Sequence, residues 1–331
     1  MSPEPEEYAG LLKALRETPD PNPAGVSIDR AMRDGRRTVR RRRILGGAAV
    51  VALIAAVSAT PIVLHAVRPD RIQPAAPGQV VPGQVVPFGV WSRAFDVGSA
   101  GGFTPRLYTS SKRWQSVKLV AADNSGLAPG ATAVATMYAP GAWPGATGDR
   151  RLADIEGRPV YLLAQDPSGV RIAFRYSNDG WATVSDSGTG ATPERARHVA
   201  EGIQLRAKPA PVTVPFSFAR SAVESDQVVA VAAPHGAPVA PETYSVLLGD
   251  ADPVDPDATG SLTTVGVVRP APAVKPTMTI GGHPATSGGS DVTVFGLGDG
   301  WAGTVWSLRK SPAAIAATLK LLPTPVSQPI R

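Results

Sequence analysis

The longest apolar run of the chain directly follows a block of arginines. From Ile44 to Leu64 there are 21 residues without a charge. As a helix they would span about 31 Å, close to the ~30 Å hydrocarbon core of a bilayer. The pattern predicts a transmembrane helix over 44–66. The arginines that would meet the lipid headgroups at its N-terminal end are Arg36, Arg37, Arg40, Arg41, Arg42 and Arg43.

Flanking charge gives this segment a direction. Lys and Arg are enriched on the cytoplasmic side of membrane helices, and the arginines lie mainly before the run, with Arg68 and Arg71 after it. We therefore expect a single-pass protein of the cell membrane, with residues 1–43 in the cytoplasm and the C-terminal region outside. One alternative is an export signal cleaved after Ala59. Another is a nucleic-acid-binding arm, which is disfavoured because no aromatic residue is interleaved with the arginines.

Residues 1–43 are predicted to form a cytoplasmic tail with one or two short helices. Leu11, Leu12 and Leu15 recur at helical spacing after Tyr8, and Ser27 is the expected N-cap of a second helix. A segment of this length cannot bury a core of its own. It is either partly disordered or folds on a cytoplasmic protein partner through residues 5–33.

The order of these features resembles a known class of proteins. A Leu-rich helix, the sequence Asp29-Arg30-Ala31, an arginine cluster and one apolar span are similar to many actinobacterial single-pass proteins, some of which resemble membrane anti-sigma factors. The resemblance covers about residues 8–66. It implies that the tail holds a sigma factor and that the exterior part controls its release. The zinc motif of one type of these factors needs His and two Cys, and residues 1–43 contain neither.

The region after the apolar run carries two kinds of repeat. The sequence GQVVP occurs twice in tandem within a Pro-rich segment, 67–85, which is predicted to be an extended spacer. Beyond it, short patterns recur in the same order at a long, slowly shrinking offset. Two examples are VPF at 86–88 and 214–216, and Asp-Gly-Trp at 179–181 and 299–301. We therefore predict two exterior units, 86–206 and 214–323, with a linker at 207–213 and a disordered tail at 324–331.

Each unit combines strand and helix patterns. Val170–Tyr176 alternates apolar and polar residues as a half-buried strand does, and Trp181–Ser185 is the predicted returning strand. Thr192 and Ser311, each followed by Pro, are expected N-caps of amphipathic helices. The predicted fold class is α+β: one transmembrane helix, then two tandem, mostly antiparallel β units, each closed by a C-terminal helix. This order resembles small exterior domains of bacterial regulatory membrane proteins, which implies binding or sensing.

Composition narrows the chemistry that is possible. The chain has no cysteine, which excludes disulfides, thiol nucleophiles and Cys-ligated metals. The net charge is +6, but its largest local source is the block from Arg33 to Arg43. Attraction to anionic lipid headgroups explains that block without a second partner.

Several residues are candidates for a site. The aspartates at 250–257 could gather a hard cation, although a solvated loop between strands fits them better. Gly298–Gly303 matches G-x-G-x-x-G, but a strand pattern follows it where a dinucleotide site needs a helix. Trp181 and Trp301 could line a groove or belong to the core. The residues of the acidic loop and the histidines are Asp250, Asp252, Asp255, Asp257, His65, His198, His235 and His283.

None of these sets predicts catalysis, so we expect no enzyme and assign no catalytic, cofactor-binding or metal-binding residue. The histidines are far apart in sequence and have no neighbouring nucleophile or ligand pair. The expected role is a membrane-anchored binding or sensing protein that signals to a cytoplasmic transcription partner such as a sigma factor. The alternative is a structural protein of the cell envelope without a signalling role.

Overall fold

A computed structural model describes residues 85–330 except 124, 144, 146, 147, 149 and 237–240. The described residues all fall within one compact unit. The predicted tail, the transmembrane helix at 44–66 and nearly all of the spacer lie outside the described residues. Within the described part, no helix is long and apolar enough to cross a membrane.

The described residues form eighteen strands and two short α-helices, with single-turn or short 3-10 helices at Arg220–Ala222 and Pro256–Ser261. The helices are α1 (Pro193–Glu201) and α2 (Pro312–Ala316). The strands are β1 (Ser92–Val97), β2 (Phe103–Ser111), β3 (Trp114–Ala121), β4 (Thr132–Tyr138), β5 (Arg150–Ile155), β6 (Arg158–Asp166), β7 (Gly169–Arg175), β8 (Trp181–Ser187), β9 (Ile203–Pro211), β10 (Val214–Ser217), β11 (Gln227–Pro234), β12 (Glu242–Gly249), β13 (Thr263–Arg269), β14 (Met278–Ile280), β15 (His283–Ser287), β16 (Asp291–Val294), β17 (Ala302–Trp306) and β18 (Lys320–Val326).

Fourteen of the strands belong to one antiparallel sheet. Its order is β14-β15-β16-β17-β13-β12-β11-β2-β3-β4-β8-β7-β6-β5. Two separate ribbons, β1-β9 and β10-β18, complete the strand pairing. Read outward from the centre, the order β2-β3-β4-β8-β7-β6-β5 matches β11-β12-β13-β17-β16-β15-β14. We refer to β1–β9 with α1 as the first half, and to β10–β18 with α2 as the second half.

The predicted α+β fold of two β units, each closed by a helix, is wrong. β2 and β11 pair along their length, from Ala230 opposite Ser111 to Pro234 opposite Leu107, and so join all the strands into one sheet. The helices are short, and each is followed by a further strand, β9 or β18. The helical spacing of apolar residues continues to Ile203 and Leu322, which lie in those strands, and this made the helices look longer than they are. The fold is mostly β.

Several local predictions are confirmed. Thr192 caps α1 by accepting a hydrogen bond from the Arg195 backbone N–H, and Ser311 caps α2 in the same way. The strand predicted at Val170–Tyr176 is β7, and the strand predicted at Trp181–Ser185 is β8. Local alternation and capping chemistry are sufficient to place these elements.

The hydrophobic core lies on one face of the sheet and includes residues of both halves. α1 covers this face with Ala196, Val199 and Ala200, and α2 covers it with Ile315 and Ala316. The two ribbons add aromatic residues to the same core. The fully buried phenylalanines are Phe95, Phe103, Phe216 and Phe218.

Candidate functional site

The strand register assigns side chains to two faces of the sheet. Val117, Ala135, Val184 and Ile172 lie directly opposite one another across β3, β4, β8 and β7, and all belong to the core. Side chains alternate along a strand, so the residues one position away point to the opposite side. We call that side the far face.

One continuous row of hydroxyl and small residues crosses the far face. Each member lies directly opposite the next across thirteen neighbouring strands. At about 4.8 Å between strands, the row is roughly 58 Å long. We call it the hydroxyl row, and in sheet order it consists of Thr286, Thr293, Thr304, Gly266, Ser245, Ala232, Thr109, Ser116, Thr136, Thr183, Ala173, Tyr161 and Arg151.

A loop covers part of the far face in the first half. The connection between β12 and β13 crosses from the second half: the Trp114 indole N–H donates to the Pro253 carbonyl at 3.1 Å, and the Tyr138 hydroxyl donates to Asp255 Oδ2 at 2.8 Å. In the neighbouring part of the hydroxyl row, Ser116, Thr136 and Thr183 are buried. This connection contains the acidic loop, residues 250–257.

The four aspartates of the acidic loop pair with three different basic residues. Asp250 lies 3.6 Å from Arg309, and Asp252 lies 3.4 Å from Lys112. Asp255 and Asp257 both face Arg171, at 3.8 and 3.9 Å. The described residues contain no group of three or more carboxylate or histidine side chains placed to hold a metal ion. The pairing indicates that the loop fastens the second half to the first.

An aromatic cluster lies beside this contact. The Tyr138 ring meets Trp143 edge-on at 4.7 Å, and Trp143 stacks on Trp181 at 6.0 Å. The guanidinium of Arg175 lies 5.0 Å from the Trp181 ring centre. Burial, reinforced by the Asp255 carboxylate, raises the pKa of the Tyr138 hydroxyl well above its ordinary value. The phenol therefore stays protonated and serves as a donor to Asp255.

The two tryptophans of the Asp-Gly-Trp repeat have different positions. Trp301 is 7% exposed and belongs to the core, where it lies 6.0 Å from Tyr244 and 4.8 Å from Arg269. Trp181 is 9% exposed and packs in the far-face cluster. The Asp299-Gly300 turn has positive φ at both residues, whereas Asp179-Gly180 does not. Trp181 is the first residue of β8, whereas Trp301 lies one residue before β17. Because side chains alternate between the two faces of a sheet, this one-residue shift places the two tryptophans on opposite faces.

The far face of the second half carries a tryptophan that the sequence analysis missed. Trp306 lies on β17 directly opposite Thr264 on β13 and Asp291 on β16. Its side chain is partly exposed. Thr304 lies two residues earlier on the same strand, and Thr293 lies opposite Thr304. We call Trp306 and its neighbours Thr264, Asp291, Thr293 and Thr304 the Trp306 platform.

A basic cluster lies where the first ribbon meets the sheet. The Asp96 carboxylate is 3.2 Å from Arg93, 2.6 Å from Arg206 and 3.5 Å from His235. Burial raises the pKa of Asp96, but the nearby His235 imidazole and the charges of Arg93 and Arg206 outweigh it, so the pKa is below its ordinary value. The cluster links β1 and β9 of the ribbon to the end of β11.

The remaining sequence candidates do not meet. His198 pairs with Glu201 on α1, and His283 begins β15 at a hairpin. His65 lies outside the described residues. Gly298–Gly303 leads into β17 and not into a helix, so the structure gives that motif no phosphate-binding turn at a helix N-terminus.

The signal for the Trp306 platform was present but weak. Thr293 lies between Val292 and Val294, and Thr304 between Gly303 and Val305, a polar residue at every second position as in any half-buried strand. Only the pairing of distant strands brings these residues together. Comparison with known proteins adds no relative, because no family model and no curated protein sequence matches the chain.

Proposed function

We propose that this chain is a single-pass protein of the cell membrane. Its region after the anchor binds a ligand outside the cell and signals through the tail to a cytoplasmic transcription partner. The observation that carries the proposal is the far face, where nine of the thirteen residues of the hydroxyl row carry a hydroxyl group and those of the second half are partly exposed. Antiparallel sheets commonly pack one face on the core and leave the other for solvent or partners. The carboxylates of the acidic loop are paired with Lys112, Arg171 and Arg309. Because these pairs give the carboxylates a structural role and not an acid–base one, binding is favoured over catalysis.

The membrane topology can be tested with single cysteines, because the chain has none of its own. We expect Thr189→Cys, at an exposed position after β8, to react with a membrane-impermeant maleimide on intact cells. Ser27→Cys in the tail should react only after the cells are permeabilised. Labelling of Ser27→Cys on intact cells would contradict the proposed orientation. A mature chain that begins near Thr60 would favour the cleaved export signal.

The tail's role can be tested with the full-length protein purified from native membranes in detergent. We expect a sigma factor to co-purify, and the double variant Leu11→Asp/Leu12→Asp to reduce its recovery at least tenfold, because both leucines lie on the predicted apolar face of the helix. Lys13→Asp, at a neighbouring polar position, is the matched control and should retain it. Full-length protein that carries no sigma factor would favour the structural envelope role.

A further inference from the structure

We propose that the Trp306 platform binds a neutral saccharide chain, with the Trp306 indole as its stacking surface, an assignment that rests on the function proposed above. The ligand class follows from three features of the platform: an aromatic ring without an aromatic partner, hydroxyl groups on the neighbouring strands, and the absence of a basic side chain among the five residues that define it.

Trp306 differs from the other tryptophans in the surroundings of its side chain. Trp91 packs against the core, Trp114 hydrogen-bonds to the acidic loop, and Trp301 belongs to the core. Trp143 and Trp181 stack on each other. The Trp306 backbone pairs with β13 and β16, but among the described residues its indole makes no ring contact or side-chain hydrogen bond and lies outside the core cluster. A partly exposed indole offers an apolar contact surface, and aromatic rings supply much of the contact energy at binding surfaces.

The neighbours of Trp306 suit a ligand with many hydroxyl groups. Thr264 and Asp291 lie directly opposite it, at the roughly 4.5–5.5 Å Cβ separation of cross-strand pairs. Threonine hydroxyls both donate and accept hydrogen bonds, and an ionised carboxylate accepts them. The apolar faces of sugar rings stack on indole while their hydroxyl groups reach such side chains. Binding sites of this kind combine an aromatic surface with a few placed polar groups.

The platform continues as a shallow track along the hydroxyl row. Gly266 lies between Thr304 and Ser245, and a Cβ there would come within 2.6 Å of the Tyr244 carbonyl oxygen, so no side chain rises at this point. Ser245 and Thr109 farther along the row are partly exposed, whereas the small residues beside them, Gly266 and Ala232, are buried. From β15 to β2 the track covers six strand spacings, roughly 29 Å. That length accommodates a chain of several sugars better than a single one.

Charge argues against a polyanion as the occupant. Nucleic acids and other polyanions bind through Lys and Arg, whereas the charged residue of the platform is Asp291. Of the basic residues that follow β17, Arg309 faces Asp250 at 3.6 Å, and Lys310 lies 3.4 Å from both Glu224 and Asp226.

The test uses full-length protein in detergent micelles and three probes: cellohexaose, maltohexaose and chitohexaose. We expect at least one of them to give a saturable heat by isothermal titration calorimetry. Trp306→Ala should weaken its affinity at least tenfold, and Trp306→Phe should weaken it less because a ring remains. Thr304→Val should weaken it severalfold. The matched control is Trp143→Phe in the aromatic cluster of the first half. This variant should bind the saccharide as tightly as wild type does.

Three results would overturn the assignment. These are no binding of any hexasaccharide at millimolar concentration, unchanged binding by Trp306→Ala, or equal weakening by Trp143→Phe. Circular dichroism shows whether Trp306→Ala folds. If it does not fold, the affinities of Trp306→Phe and wild type are compared instead. If Trp306→Ala instead dissociates an oligomer in light scattering without any saccharide effect, the platform is a contact between copies of this chain. Because cysteine labelling is independent of saccharides, the proposed topology can hold while the ligand class fails.

Discussion

At the residue scale, Asp96 shows how one side chain connects separate elements. Its carboxylate, on β1, faces Arg93 on the same strand, Arg206 on β9 and His235 beyond β11. These groups favour the ionised carboxylate more than burial disfavours it, so the pKa is lowered from 3.8. A lowered pKa in the folded state means that ionised Asp96 stabilises the fold.

We expect Asp96→Asn to lower the free energy of unfolding by on the order of 1 kcal/mol at pH 7, since the pairs are partly exposed and screened by solvent. The folded-state pKa is depressed, so this contribution is fully present above the unfolded-state pKa and is lost as the pH falls below 3.8. The difference between wild type and variant should therefore shrink in acid. Urea unfolding between pH 7 and pH 3 measures it.

Asp154→Asn is the matched control for that experiment. Asp154 also pairs with an arginine three residues earlier, Arg151, but on the edge strand β5 and with both side chains more exposed. Its replacement should change the free energy of unfolding by less than about 0.5 kcal/mol at every pH. Equal effects of the two substitutions would contradict a special role for the Asp96 cluster.

At the element scale, the sequence predicts what is decided locally. β7 and β8 follow from alternation, and the starts of α1 and α2 follow from Thr192 and Ser311, because a cap depends on residues within one turn. The ends of the helices could not be predicted in the same way. The apolar spacing in α1 continues past Gly202 into Ile203, which the structure places in β9. There the pairing of β9 with β1, over a hundred residues apart, overrides the local pattern.

The candidate site depends still more on distant pairing. Thr264, Asp291 and Trp306 are spread over more than forty residues, and only the order β16-β17-β13 brings them together. For the same reason, the sequence of the acidic loop allows a cation site without deciding for one: its four carboxylates are close in sequence, but in the fold they pair with Lys112, Arg171 and Arg309. The residue types indicate which side chains can bind a ligand. Only the strand register determines which of these side chains lie next to one another.

At the scale of the whole molecule, the pairing of β2 with β11 makes the two halves one sheet over one core. The acidic loop adds a second connection through Trp114 and Tyr138. A fold joined in this way should unfold as a unit, because separating the halves would break the central strand pairing and expose core on both sides. Two separate units joined by a flexible linker would instead unfold independently.

Matched core substitutions, one in each half, distinguish these cases. Ile172 on β7 and Ile315 on α2 are both fully buried, and replacing either with alanine should cost about 2–5 kcal/mol. We expect each variant to increase hydrogen exchange at low urea in peptides of both halves, measured by mass spectrometry on the full-length protein in detergent micelles. If Ile172→Ala leaves β13 and β17 as protected as in wild type, the halves are energetically independent despite the shared sheet. If each variant increases hydrogen exchange in both halves, the two halves open together. Ligand binding at the Trp306 platform then stabilises the first half as well, because stabilising either half raises the free energy of opening the whole sheet.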